Sequence, residues 1–436
     1  MRFFIETFGC QMNVNDSEIM AGLLIQAGYE RSEDWKDADL IIVNTCAVRQ
    51  KSEDKAYGFI GRLNKLKKEK TGMKIGVCGC VAEKERKTLF RRKGVDFIFG
   101  TRAIGHIVKN AERAFKGIRF DDFEDAIDDI SFDTPRERDS KHHAWITIAY
   151  GCNKFCTYCI VPFTRDREKS RSMDDIVNEV RELALKGYKE ITLLGQNVDS
   201  YGKDINDENI TFANLLKEVE KADGIERIWF LTSYPSDFDE EVIDVMSSSS
   251  KFAPQVHLPV QAGSNNVLKK MNRRYTREEY IDLINRIKAK IPDVSLSSDI
   301  IVGFCGETDE DFEQTVDLVK NIRYEKLNLA MYSVREGTVA SKTMEDDVPP
   351  EVKNKRLQIL LNMQKDINRE INDEYMDKTV RVIGEVNLNS DPTLMYGRTG
   401  RNKIVIFPAG KEKIGEWLNI KIERVTAGPL YGSIVD

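Results

Sequence analysis

The chain has 436 residues, with 66 Lys and Arg against 72 Asp and Glu, for a net charge of −6 at pH 7. That length suits two to four domains with real cores, and the acidic balance leaves only local basic patches for any contact with RNA. Eight irregularly spaced cysteines without a leader ahead of them argue against a disulfide scaffold and for a reducing cytoplasm, and no apolar run is long enough to suggest a membrane span.

Residues 1 to about 120 alternate strand-like and helix-like stretches. Arg2–Phe8, Leu40–Thr45, Lys74–Cys78 and Val95–Phe99 are short, apolar and bounded by turn residues. Asp16–Ala27 carries Ile19, Met20, Leu23, Leu24 and Ala27 at helical spacing and stops at Gly28. This alternation predicts a doubly wound parallel sheet, whose ligands gather at the carboxyl ends of its strands. Cys10, Cys46 and Cys80 fall at three such ends, a placement that favours a shared ligand over three cysteines that merely fill cores. Cys78 competes with Cys80, but Cys80 lies past its strand.

Residues 121–143 are acidic, then mixed in charge, and read as an exposed linker. Directly after the strand-like run 144–149 comes Cys152-x-x-x-Cys156-x-x-Cys159. Three thiols on one tight loop suit a 4Fe–4S cube with one open iron. A structural zinc, the competing reading, wants four ligands.

From residue 144 to about 334, six strand-like runs alternate with helices: Trp145–Ala149, Glu190–Leu194, Arg227–Leu231, Gln255–Pro259, Ser295–Val302 and Leu327–Tyr332. Six βα units fit an open, partial (β/α)6 barrel with its site at the carboxyl mouth. Gln196, Asn197, Ser233, Gln261 and Asp299 lie at that mouth as candidate cofactor binders. Arg165 and Arg167 follow the cysteine loop and are candidates for phosphate. A long helix from Pro349 leads to strand-like runs at Thr379–Asn387, Lys403–Phe407, Leu418–Val425 and Tyr431–Val435, a small antiparallel β-barrel. Its 395–403 hairpin sets Tyr396 among Arg398, Arg401 and Lys403, a pattern suited to RNA.

With Tyr158 in its aromatic slot, the cysteine loop resembles the signature of radical S-adenosylmethionine (SAM) enzymes. Gly9-Cys10-Gln11-Met12-Asn13, Asn44-Thr45-Cys46-Ala47-Val48-Arg49 and Gly79-Cys80-Val81-Ala82-Glu83 resemble the N-terminal cluster domain of the methylthiotransferases within that superfamily. The C-terminal segment resembles their RNA-binding TRAM domain. The resemblance implies an N-terminal auxiliary-cluster domain (1–120), a linker (121–143), a radical SAM domain (144–374) and a TRAM domain (375–436). It implies two 4Fe–4S clusters, on Cys152/Cys156/Cys159 and on Cys10/Cys46/Cys80, with SAM held by Tyr158 and the polar mouth residues. Within the family, Cys10–Asn13 and the 396–403 hairpin are most similar to members that place a methylthio group on C2 of isopentenylated adenosine in the tRNA anticodon stem-loop. An electron donor such as flavodoxin or ferredoxin is implied, and the sulfur donor is left open. Siblings acting on threonylcarbamoyladenosine or on a ribosomal-protein aspartate are the alternative, and a non-catalytic zinc and RNA-binding protein is a remote one. Three positions depart from the pattern: Asp166 where glycine is usual, Cys305 where proline is usual and Tyr234 where histidine is common.

Overall fold

The computed structural model describes residues 1–48 and 50–435; Arg49, which ends the second N-terminal motif, and Asp436 lie outside the described residues. The N-terminal sheet is six-stranded and all parallel, in the spatial order Glu30–Arg31, Arg2–Thr7, Leu40–Thr45, Lys74–Gly79, Phe97–Phe99 and Phe120–Asp122. Leu40–Thr45 is buried along its whole length because helices cover both faces. Leu40 and Ile42 pack with Ile19, Met20 and Leu24 of the helix Gln11–Gln26. The alternate residues Ile41 and Val43 meet Phe59, Ile60 and Leu63 of Gln50–Glu69.

The first helix starts at Gln11 rather than Asp16. Its opening turn is Gln-Met-Asn-Val-Asn, which buries Asn13 and Asn15 as well as Met12, so the apolar periodicity that marks its later turns is hidden there. The segment 121–143 is not the exposed linker expected from its charge. Ala126, Ile127 and Ile130 are buried, and Arg136 and Arg138 are buried against Glu179, at 3.3 and 2.8 Å. Arg136 and Arg138 act as tethers, whereas Asp121, Asp128, Asp129 and Asp139 stay exposed as expected.

The central domain carries six parallel strands in two triplets. His143–Thr147, Glu190–Leu194 and Arg227–Phe230 form one, Gln255–His257, Ser295–Val302 and Lys326–Met331 the other, and a parallel bridge from Ile228 to Phe252 joins them. Helix starts follow the capping signals: Ser172 Oγ accepts from Asp175 N, and Thr308 and Asp311 form a reciprocal box. One core runs through all six units.

After the helix Pro350–Asp373 the chain closes a five-stranded barrel, ordered Thr379–Leu388, Asp391–Arg398, Ile404–Pro408, Leu430–Val435 and Trp417–Arg424. The strand Asp391–Arg398 had no separate signal, because Pro392 and the polar residues beside it read as a turn. The barrel is antiparallel except where Ile404–Pro408 and Leu430–Val435 pair in parallel, which is how a strand beyond the expected four closes the ring.

Candidate functional site

The cysteine loop is a clamped hairpin. Ala149 and Tyr150 pair antiparallel with Ser170 and Lys169, which pins both ends of residues 151–168. Gly151 has φ +69°, and a Cβ there would lie 2.1 Å from the Arg167 carbonyl oxygen, so only glycine fits. Cys152 N donates to the carbonyl of Asp166 at 3.1 Å. Asp166 itself has φ +64°, the backbone that glycine would favour, so the loop keeps its shape despite the substitution. Burial pushes the Cys152 thiol up to about 11, with Cys156 adding to it. Burial pushes Cys159 up to about 12, with Cys156 and Cys152 adding. Sulfurs that raise one another in this way lie close together, and a cation among them would reverse the penalty. Tyr158 packs edge-on against Phe304.

The second triad is assembled by the sheet. Thr7 lies level with Asn44, and Thr45 with Gly79, so the ends of three adjacent strands are in register. Cys10 caps the helix Gln11–Gln26, Cys46 follows its strand directly, and Cys80 opens the helix Cys80–Lys84. Two glycines make the approach possible. A Cβ on Gly9 would meet Asn13 Oδ1 at 2.5 Å and Cys46 Cβ at 3.0 Å, and one on Gly79 (φ +88°) would strike the Thr45 carbonyl at 2.2 Å. Asn13 Oδ1 accepts from Cys10 Sγ at 3.3 Å, while its amide donates to Asn44 Oδ1 at 2.8 Å. Burial pushes Cys46 up to about 12, with Cys80 and Cys10 adding. Cys78 is fully buried among Phe3, Phe97 and Phe99 in the core.

The N-terminal and central domains meet along one seam. Met12, Ile127, Tyr150 and Leu194 pack together there with Cys10 against them. Asn15 and Thr147 bond at 2.9 Å, and Gln196 Nε2 reaches Met12 Sδ at 2.7 Å. Arg165, six residues past Cys159, is 4% exposed and pairs with Asp16 at 2.9 Å. Its side chain also bonds the Cys80 thiol.

The polar mouth residues come together in part. Asn197 donates to Asp237 Oδ2 at 2.6 Å, and its own buried Oδ1 has no partner. Ser233 Oγ is hydrogen-bonded to Asp199 Oδ1 at 3.1 Å. Gln261 sits buried at φ +73°, bridged to Ile300. Asp299 accepts from Asn328 at 2.8 Å. Arg273 had drawn no role from its sequence. It is buried, stacks on Tyr234 at 4.2 Å and points Nη1 at Cys156 Sγ, 3.5 Å away. Cys305 is buried beside the Tyr332 hydroxyl and not in either triad.

Of the five cations expected to meet RNA, three are already spent. Arg165 is the buried partner of Asp16. Arg401 and Lys403 both pair with Glu325 of the barrel domain, the latter at 3.1 Å with 9% of its side chain exposed. They dock the C-terminal barrel rather than face solvent, because a hairpin rich in cations also satisfies a carboxylate at a domain interface. Arg398 is half-exposed beside Glu385 at 3.2 Å. Arg167 is exposed and stacks on Phe155 at 4.4 Å.

Three family models match the chain: Uncharacterized protein family UPF0004 at residues 2–100, the Radical SAM superfamily at 146–319 and the TRAM domain at 377–435. Among curated proteins, the chain is 56% identical to a tRNA-2-methylthio-N(6)-dimethylallyladenosine synthase of Thermotoga petrophila, covering 100% of this chain and 97% of that one. Proteins of the same name from Petrotoga mobilis and Halalkalibacterium halodurans are 54% and 44% identical, covering all of this chain and 99% and 81% of theirs. Among solved structures, the radical SAM methyltransferase TsrM of Kitasatospora setae aligns with a TM-score of 0.59 at 16% identity, over 78% of this chain and 77% of its own. The cobalamin-dependent SAM radical enzyme OxsB aligns at 0.55 and 12%, over 84% and 56%. These last two are likenesses of fold.

Proposed function

The chain belongs to the family of tRNA-2-methylthio-N6-dimethylallyladenosine synthases, which are radical SAM enzymes, and from that premise we propose a division of labour between its two thiol triads. The protein is a tRNA methylthiotransferase that modifies C2 of isopentenylated adenosine in the anticodon stem-loop. Cys152, Cys156 and Cys159 hold one 4Fe–4S cluster, and Cys10, Cys46 and Cys80 hold a second. When bound, the clusters and SAM supply the radical, the sulfur and the methyl group that an aryl C–H requires, since that bond offers neither a leaving group nor an acidic proton.

The chain's own residues bind, orient and exclude water. The apolar Met12–Tyr150–Leu194 seam packs the domain of one triad against the domain of the other, with Cys10 at its border. Asn197 offers its unpartnered Oδ1 to a donor on SAM, and Gln261, Asp299 and the Asp199-bound Ser233 border the same mouth. Gln196 lies between this mouth and the N-terminal triad through Met12. Tyr158 borders the loop cluster. Arg273 donates toward the Cys156 sulfur and orients it. Arg167 and the half-exposed Arg398 remain for RNA phosphate. The reductant is a small electron carrier such as flavodoxin or ferredoxin, and the reaction takes place in the cytoplasm.

The observation that carries this reading is that two three-cysteine sets, one on a clamped loop and one at level strand ends, lie on elements joined by the Arg165–Asp16 pair at 2.9 Å. The test is anaerobic reconstitution with iron and sulfide, followed by SAM, reductant and isopentenylated anticodon stem-loop RNA, with mass analysis of the nucleosides. The methylthio nucleoside is the expected product. 5′-Deoxyadenosine with an unchanged base would move the substrate to a sibling family. A protein that takes up zinc and cleaves no SAM would overturn the enzyme reading.

A further inference from the structure

Most of the cations expected to bind RNA are held in ion pairs, yet the surface beside the radical loop carries a different arrangement. Phe155 lies between Cys152 and Cys156, and Phe163 lies on the turn of helix that follows Cys159. Their rings meet edge to face with centroids 6.3 Å apart. Phe163 is 48% exposed, an unusual position for a large apolar side chain in the middle of a buried loop. A cation lies at each end of the pair: the Arg167 guanidinium 4.4 Å from the Phe155 ring and Lys342 Nζ 5.8 Å from the Phe163 ring. Arg274 is exposed beside them, where Asn272 Nδ2 donates to the Phe155 carbonyl at 2.8 Å. Among the described residues none of Arg167, Arg274 and Lys342 makes an ion pair with a carboxylate, unlike Arg165, Arg401 and Lys403.

We infer that Phe155 and Phe163, flanked by Arg167 and Lys342, form a stacking platform for an unpaired base of the anticodon loop next to the adenosine to be modified. Single-stranded RNA is held where aromatic faces alternate with cations, the rings taking bases and the cations taking the phosphates between them. The backbone of this platform is that of the radical loop itself, since Cys152 and Cys156 bracket Phe155. A base seated there is therefore registered directly against the reaction centre. The C-terminal barrel, docked through Glu325, is left to contact more distant RNA. This inference rests on the reading of the protein as a tRNA enzyme and adds a subsite to it.

The test uses the full-length reconstituted protein, with variants compared at equal iron content and equal thermal midpoint. Binding of a fluorescent anticodon stem-loop RNA is measured against salt. F163A is expected to raise the Kd about 10-fold, since stacking on one aromatic contributes roughly 5- to 150-fold per base. F163Y restores binding, and F163L, equally apolar but unable to stack, does not. R167Q and K342Q each lower the slope of log K against log salt by about 0.7. The inference is overturned if F163A and F163L bind as the wild type does and the two slopes stay unchanged. It is equally overturned if these variants lose only the rate of reduction by an added flavodoxin, which would make the surface a docking site for the reductant. Methylthio product from the wild type is scored separately. Its absence, with F163A still weakening the loop complex, would remove the substrate assignment and leave the platform in place.

Discussion

The loop triad and the sheet triad are built by opposite routes. Cys152, Cys156 and Cys159 lie within one clamped loop, so their separation is set by a few backbone angles. Cys10, Cys46 and Cys80 come from three crossovers, and only the level ends of three adjacent strands bring them together. The loop triad is thus a local structure resting on a barrel, whereas the sheet triad exists only once a whole domain has folded. The buried ion pair of Arg165 with Asp16 spans the two, joining the loop's far end to the helix that Cys10 caps.

The largest effects should separate the two triads by reaction step. Altering a residue that merely supports a metal ligand lowers affinity or activity about 10- to 100-fold, so loss of a ligand should exceed ~100-fold. Cys156→Ala should reduce 5′-deoxyadenosine formation to background, and methylthio product with it. Cys46→Ala should leave 5′-deoxyadenosine formation and stop the product. Equal loss of both activities in both variants would erase the distinction. Next in size is the tie between them. Asp16→Ala leaves the Arg165 charge buried without its partner, which costs about 3 kcal/mol. Urea unfolding should show it as a shift of the N-terminal transition, and the loss should be smaller in Asp16→Ala/Arg165→Ala. A purely additive double variant would mean that the pair does not couple the domains.

How far each triad was legible follows from the same difference. The loop triad needs only spacing, and 152, 156 and 159 announce it. Cys10, Cys46 and Cys80 could be grouped because Leu40–Thr45 and Lys74–Cys78 are largely apolar runs with a cysteine beyond each end, which a parallel sheet sets side by side. What stayed hidden is polar and long-range. Asp16 and Asn13 sit on a buried helix face where charge and amide break the apolar pattern, a signal readable only as an anomaly. Arg401 and Lys403 could not be told from RNA contacts, because their partner Glu325 is 76 residues from Arg401. Arg136 and Arg138 looked solvated for the same reason, with Glu179 some 40 residues on. Sequence patterns report periodicity well; they say little about which charge another charge will find.

A smaller effect tests the barrel side through pH. Burial raises the Asp199 carboxyl from the ordinary carboxylate range to about 8, against the hydrogen bonds from Tyr234 N and Ser233 that favour its charge. The folded protein therefore holds a proton there that the unfolded chain has already released. The stability this confers is complete below pH 4 and is lost as pH rises through about 8. Asp199→Asn should flatten that fall between pH 6 and pH 9 in thermal midpoints of the iron-free protein. An unchanged slope would place the titration elsewhere.

The smallest expected effect probes the loop triad's dependence on local backbone. Asp166 pays for its left-handed φ and recovers part of that by accepting from Arg167 N at 2.8 Å. Asp166→Gly removes strain and bond together and should be nearly neutral. Asp166→Ala keeps the strain and loses the bond, which should cost the loop about 1 kcal/mol. Because Cys152 N is held by the Asp166 carbonyl, that cost should appear as faster iron release to a chelator from the loop triad alone. The sheet triad, held by strand register, should release its iron at the wild-type rate. Faster release from both would mean that the loop's backbone also supports the sheet triad through Arg165, and that the two constructions are less independent than their geometry implies.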